Sequence, residues 1–239
     1  MSNKNIEFKE PIHLVTWIKY LLYAQVLIAV IAIGSNLLEY QLLSDFQDGV
    51  YFSQEMAVAD AEANDKRQQI IALMYLGIFI VSGYFILKWI YQSNQNARQL
   101  GAKDMAFTPA WSIGFYVIPI VCLWKPYQAM KEIWKASHNP TNWQMESASP
   151  ILGLWWFFWI ANNILGQVVY RMLDRAEEIS QIMNVNIVSQ VSELLSIPLA
   201  IVTWLLISKI SSAQMASRNF ALSQTEENSD VETAAATVK

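Results

Sequence analysis

Long apolar runs alternate with polar segments along the whole chain. Five such runs lie at about residues 17–38, 70–91, 109–124, 150–170 and 194–210. A helix needs about 20 residues, each rising about 1.5 Å, to cross the roughly 30 Å of hydrocarbon in a bilayer. The pattern therefore predicts an all-α fold, a polytopic membrane helical bundle.

The third run differs from the others because it is short and contains a proline. It has 16 residues, Pro109 to Trp124, which is roughly 24 Å as a helix. Thr108 and Pro109 are typical of a helix start, and Pro119 removes a backbone hydrogen bond inside the run. We therefore predict four full transmembrane helices plus one short, Pro-broken helix that is re-entrant or a fifth span. We also expect Pro198 to interrupt the last run.

After Pro126 the pattern becomes that of an amphipathic helix. One side carries Tyr127, Met130, Ile133, Trp134 and Ser137, and the other carries Gln128, Lys131, Glu132 and Lys135. Such a division is typical of a helix that lies in the membrane surface. We expect the aromatic side to face lipid or the bundle and the charged side to face water or headgroups.

Composition agrees with a membrane protein, because 54% of the residues are apolar and 15% are charged, against about 25% charged in soluble domains. We expect a polar N-terminal segment at 1–16, a membrane domain at 17–210 and a disordered acidic tail at 211–239. An acidic extramembrane segment at 39–69 interrupts the membrane domain, and residues 53–69 favour a helix. The net charge of -4 does not suit nucleic acid as a partner.

Lysine and arginine positions predict the topology. If the third run crosses the membrane, these residues divide about equally between the two sides. If the third run does not cross, only four of the lysine and arginine residues from the N-terminus to Arg218 lie outside. These four are Lys66, Arg67, Arg171 and Arg175. Positive charges near span ends favour the cytoplasm, so we expect both termini there and the segments 39–69 and 171–193 outside.

The residues offer little catalytic chemistry. The chain has one cysteine, Cys122, and two histidines, His13 and His138, and no motif of a metalloprotease, serine hydrolase or phosphate-binding loop. We therefore predict no catalytic residues, no metal and no cofactor.

Three polar residues lie in or next to apolar runs. Asn162 and Asn163 occupy the centre of the fourth run, and Glu193 precedes the fifth. Because an amide at that depth needs a partner, we expect one of the two to bond to another helix. The other interpretation is a solute site, in which a polar cavity joins these amides to Glu193.

Residues 107–137 resemble the signature of a family of bacterial membrane proteins, domain of unknown function 4328. The matching residues are Phe107, Pro109, Trp111, Pro119, Ile120, Pro126, Tyr127, Glu132, Trp134, Ala136 and Ser137, followed by Pro150, Trp155 and Trp156. The sequence departs from the family at 121–123, where we expect a polar residue, and the acidic segment 39–69 is longer. The resemblance implies a multi-pass protein of the bacterial cytoplasmic (inner) membrane, and it implies no activity.

Two functions are compatible with these features. The first is a non-enzymatic membrane protein that binds or scaffolds a partner, in contact with the lipid bilayer and with another membrane protein or a second copy of itself. The alternative is a small-solute or lipid carrier, or a channel-like protein, with a polar cavity near Asn162, Asn163 and Glu193. A filled, apolar bundle interior favours the first function, and a polar cavity favours the second.

Overall fold

The computed structural model describes the backbone of residues 8–237 and the side chains of residues 8–224, so part of each predicted terminal segment lies outside the described residues. The helices are α1 (Ile12–Gln47), α2 (Gln54–Gln99), α3 (Pro109–Gly114), α4 (Lys125–His138), α5 (Pro150–Leu173) and α6 (Ile179–Thr237). Two 3₁₀ turns cover Val121–Leu123 and Pro140–Met145. No strand occurs in this part of the chain, and the all-α prediction is confirmed.

Four helices, α1, α2, α5 and α6, are long and apolar enough to cross a membrane within the described region. In the most apolar stretch of α2 only 6% of the residues are buried, and in that of α5 only 11%. Apolar side chains that point outward over a span suit contact with lipid. The helices thus indicate a multi-pass membrane protein.

The acidic segment and the second span form one helix. α2 has 46 residues, which is about 69 Å of helix and well over the thickness of the hydrocarbon layer. This result confirms the helix expected at 53–69. A glycine with positive φ follows the end of both α1 and α2, Gly49 at 66° and Gly101 at 108°. At the second of these ends the Ala102 N–H reaches back to the Ala97 carbonyl at 3.1 Å, which satisfies a terminal carbonyl.

The C-terminal region differs from two expectations. α6 continues without interruption past Pro198, so the predicted break is wrong. A proline removes only one hydrogen bond from a helix, and helices at membrane depth tolerate this loss. Disorder was predicted from residue 211, whereas α6 continues to Thr237 in the described part of the chain. Ser211 and Gln214 are buried there, and their contacts order this part of the helix.

The third apolar run is not a continuous helix. Thr108 caps α3 as predicted, and its Oγ1 accepts the Trp111 N–H at 3.3 Å. α3 ends at Gly114, and the chain turns at Pro119, where the Val121 N–H donates to the Pro119 carbonyl at 2.7 Å. Ile120 lies between them with a φ of 67°, as in a tight three-residue turn.

The chain divides into two compact units. The first comprises the described parts of 1–16, 86–152 and 205–239, and the second comprises Trp17–Phe85 and Gly153–Trp204. The core of the first unit includes Trp89, Ile133, Leu206, Ile207 and Ile210. The core of the second includes Ile18, Leu22, Ile28, Ala29 and Ala32.

Candidate functional site

A loop of the first unit is held by two charged side chains, and we call this arrangement the loop clamp (Arg98, Glu132 and residues 105–107). The Glu132 carboxylate accepts the N–H groups of Ala106 at 2.5 Å and Phe107 at 3.1 Å. Arg98 donates to the carbonyl oxygens of Met105 at 3.2 Å and Phe107 at 2.8 Å. Burial raises the pKa of Glu132, while the two backbone N–H groups and the charge of Arg98 oppose this rise.

The loop clamp corrects one prediction about α4. Glu132 was expected to face water, but only 6% of the residue is exposed. The reason is that the loop has backbone donors that require an acceptor at this place. Met130, Ile133 and Trp134 are buried within the first unit and Lys131 is exposed, so the two-sided pattern of the helix is present. An interfacial position of α4 stays a prediction.

Most of the residues that resemble the family signature lie in the first unit. Trp111 stacks on Phe115 with ring centroids 5.3 Å apart, and Phe107 meets Phe115 edge-on at 5.6 Å. Trp134 stacks on His138 at 4.2 Å. Others lie at a turn (Pro119) or at helix starts (Pro109, Pro126, Tyr127 and Pro150). These residues pack the unit and do not converge on the cleft described below.

A buried amide network also lies in the first unit, and sequence patterns did not indicate it. Gln214 is fully buried, and its Nε2 donates to the Ser93 carbonyl at 2.8 Å and to Ser137 Oγ at 2.9 Å. Its Oε1 accepts from Asn96 Nδ2 at 3.4 Å, and Asn96 in turn bonds to the backbone of Lys9. The network connects α2, α4 and α6 with the N-terminal segment.

A second polar cluster joins α1, α2 and α6 in the other unit. Glu39 accepts from Asn186 Nδ2 at 2.7 Å and from Asn64 Nδ2 at 3.2 Å. Arg67 bonds to Asn64 Oδ1 at 2.6 Å and to Ser35 Oγ at 3.0 Å. The inner side of the acidic segment is therefore packed rather than solvated. Every polar group named here has a partner, which points to a structural role.

The central amides of α5 do not join it to another helix. Asn162 Nδ2 donates to the Phe158 carbonyl at 3.1 Å, and Asn163 Nδ2 donates to the Trp159 carbonyl at 2.7 Å. Both bonds remain within α5, so within this chain neither amide links α5 to another helix. A short amide side chain can bond to the carbonyl one turn back, which partly satisfies it without a neighbour.

Glu193 is separate from these amides. Its Oε2 is buried and has no hydrogen-bond partner among the described residues, and the carboxyl group lies beside the Tyr75 hydroxyl. The described cleft of this unit is lined by 168, 171, 172, 175, 176, 181 and 184. It contains neither Glu193 nor Asn162 nor Asn163, so it is not the cavity that the carrier hypothesis requires.

The tryptophans of α5 contact one another. Trp156 stacks on Trp159 with centroids 4.7 Å apart and planes at 10°, and Trp155 is buried. The two stacked rings therefore already serve as partners for each other, which leaves less of each face for a ligand ring.

The candidate site is an exposed polar stripe on α5, which we call the amide face (Asn163, Gly166, Gln167 and Tyr170). The spacing of three and four residues places them on one side of the helix, and all four are exposed. The Gln167 side chain makes no hydrogen bond to the described residues, and nothing lies within 4 Å of a Cβ built on Gly166. Gln167 was not singled out from the sequence, although its distance of four residues from Asn163 in an uncharged span is a visible signal.

Among the described residues no group of three or more His, Cys, Asp or Glu side chains is placed to hold a metal ion. A family model described as "Domain of unknown function (DUF4328)" matches residues 53–212. No curated protein and no solved structure matches the chain.

Proposed function

Since the chain belongs to the DUF4328 family, for which no activity is assigned, we propose that it is a non-enzymatic membrane protein that binds or scaffolds a partner, with α5 as its docking helix. The observation that supports this proposal is the amide face, which is polar and exposed on an otherwise apolar span.

The depth of the amide face favours a partner. Asn163 lies 13 residues after Pro150 and ten before Leu173, so about 20 Å and 15 Å of helix separate it from the two ends. Lipid offers no hydrogen-bond partner at that depth, and polar side chains on spans commonly bond to neighbouring helices. The free amide of Gln167 and the small Gly166 suit the close approach of another helix.

We infer that the occupant is a second copy of this chain. An amide side chain both donates and accepts hydrogen bonds, so two identical helices related by a twofold axis can pair the same residues with each other. Asn163 and Gln167 on both copies thereby gain partners.

Oxidative cross-linking in membranes tests this pairing. In a Cys122→Ala background we expect Gly166→Cys to form a cross-linked dimer, because it lies within the amide face. Ile80→Cys is the control, since Ile80 is exposed on α2, away from this face. When Asn163→Leu and Gln167→Leu are added to the Gly166→Cys variant, dimerisation is expected to weaken about tenfold. The reason is that each hydrogen bond lost between the two copies contributes roughly 0.6–1.7 kcal/mol.

Asn162→Leu is the matched amide control and is expected to leave the dimer unchanged, because Asn162 is not part of the amide face. Equal cross-linking at 80 and 166 would contradict the proposal. So would cross-linking of Gly166→Cys only to a different membrane protein.

We also propose that residues 109–124 enter the membrane and return, so that the chain crosses four times with both termini cytoplasmic. The contacts between Glu132 and Ala106 and between Trp143 Nε1 and the Lys103 carbonyl at 2.8 Å support this topology. They support the proposal because they bring the residues before this segment close to those after it.

Labelling of intact cells with an impermeant thiol reagent tests the topology. In the Cys122→Ala background we expect labelling of Asp60→Cys and Ser180→Cys only. Lys103→Cys, Lys135→Cys and Thr225→Cys should remain unlabelled until the cells are opened. Labelling of Lys135→Cys and Thr225→Cys on intact cells would instead show five crossings.

A further inference from the structure

An open cleft of ≈ 340 Å³ lies between the end of α5 and the start of α6 in the second unit. Its lining divides into polar groups, Arg171, Arg175, Gln181 and Asn184, and an apolar part, Val168, Met172 and Ala176. No carboxylate lines it, although Asp174, Glu177 and Glu178 are close in the chain. The cleft therefore offers donors and positive charge beside an apolar wall.

The two guanidinium groups of the cleft are available to a ligand. Arg171 and Arg175 are exposed, and neither guanidinium group makes an ion pair or a hydrogen bond with the described residues. Arg171 belongs to the last turn of α5, where the helix dipole favours a cation, and this alone would explain its presence. The dipole does not explain Arg175, which lies beyond the end of that helix.

The side-chain amide of Gln181 is oriented by the loop. Its Oε1 accepts the N–H groups of Glu177 at 2.8 Å and Glu178 at 3.3 Å. The oxygen is thereby occupied, and the NH₂ end is left to donate. Gln181 thus orders the loop between α5 and α6 and adds a neutral donor to the two arginines.

We propose that this cleft binds the phosphate group of an anionic phospholipid. Guanidinium groups form paired hydrogen bonds with phosphate oxygens, and the amide donors can complete the shell of such an anion. The end of a spanning helix lies near the headgroups, where basic pockets bind lipid phosphates. Val168, Met172 and Ala176 give an acyl chain an apolar contact, which free phosphate does not use.

Thermal unfolding of the purified full chain in a zwitterionic detergent tests the site. Phosphatidylglycerol, phosphatidylcholine and sodium phosphate are added separately at constant ionic strength. We expect phosphatidylglycerol to raise the Tm most. In the Arg171→Gln/Arg175→Gln variant, the apparent Kd for phosphatidylglycerol should rise about tenfold or more, because two charge-assisted contacts are removed.

Two variants serve as controls. Lys66→Gln removes an exposed charge from the same unit, outside the cleft, and should respond as the wild type does. Arg171→Lys/Arg175→Lys keeps the positive charges but lacks the planar guanidinium groups. Its apparent Kd for phosphatidylglycerol should therefore lie between those of the wild type and the double Gln variant.

The proposal is overturned if the double Gln variant responds to phosphatidylglycerol as Lys66→Gln does, or if the two lipids act equally. A response to sodium phosphate that equals that to phosphatidylglycerol, and is lost in the double Gln variant, would overturn the lipid assignment in favour of the free anion.

Discussion

Replacing Gln214 with leucine is expected to destabilise the protein by about 2–4 kcal/mol, since each of its three hydrogen bonds contributes about 0.5–1.5 kcal/mol. Leucine has a similar size, so the change removes the polar contacts and leaves little cavity. Ser137 Oγ and Asn96 Nδ2 each lose a partner in a part of the first unit that water does not reach. Thermal unfolding in detergent measures the effect, at roughly 2–4 °C in Tm per kcal/mol.

The control for this prediction is Gln224→Leu. Gln224 lies on the same helix and is exposed, so its replacement should change stability by less than about 0.5 kcal/mol. If Gln214→Leu is as stable as Gln224→Leu, the amide network does not hold the first unit together.

Replacing Glu132 with alanine is expected to destabilise the protein by about 1–3 kcal/mol, because the N–H groups of Ala106 and Phe107 lose their acceptor. We expect no larger destabilisation because Ala106 is exposed, so water can replace part of its interaction with the carboxylate. The released loop should also become accessible to protease. We therefore expect faster tryptic cleavage after Lys103, which is exposed and directly precedes the clamped loop.

Two further variants locate the effect at Glu132. Glu132→Gln keeps one acceptor oxygen and avoids the burial of a charge, which is what raises the pKa of Glu132, so it should be milder than alanine. Glu62→Ala changes an exposed carboxylate of α2 and should leave cleavage after Lys103 unaltered. Unchanged cleavage in Glu132→Ala would mean that Arg98 alone holds the loop.

Features that depend on neighbouring residues in the chain were predictable. The Thr108 side chain caps the helix that directly follows it. The proline rings act on the backbone next to them, which gives the helix start at Pro150 and the turn at Pro119. The four long apolar helices follow from run length, because the thickness of a bilayer fixes how many residues a span needs. The DUF4328 resemblance rested on the same local pattern and is confirmed by the family match.

Whether the amides of Gln167 and Gln214 and the carboxylate of Glu132 are exposed or buried could be found only from the tertiary structure. The sequence does not show that Gln167 is exposed on α5 or that Gln214 is fully buried on α6. In the same way, the helical pattern placed Glu132 on the water side, and a loop 25 residues earlier in the chain provides the donors that bury it.

The sequence by itself determined which long segments are helical and apolar, and these segments indicate a membrane protein. Only the tertiary structure decided that α6 passes Pro198 and continues beyond residue 211, and which polar side chains have partners within the chain. The physical reason is the range of the interactions. Apolar length, caps and prolines act over a few residues, whereas a buried amide or carboxylate is stable only where a distant segment supplies the matching hydrogen-bond group.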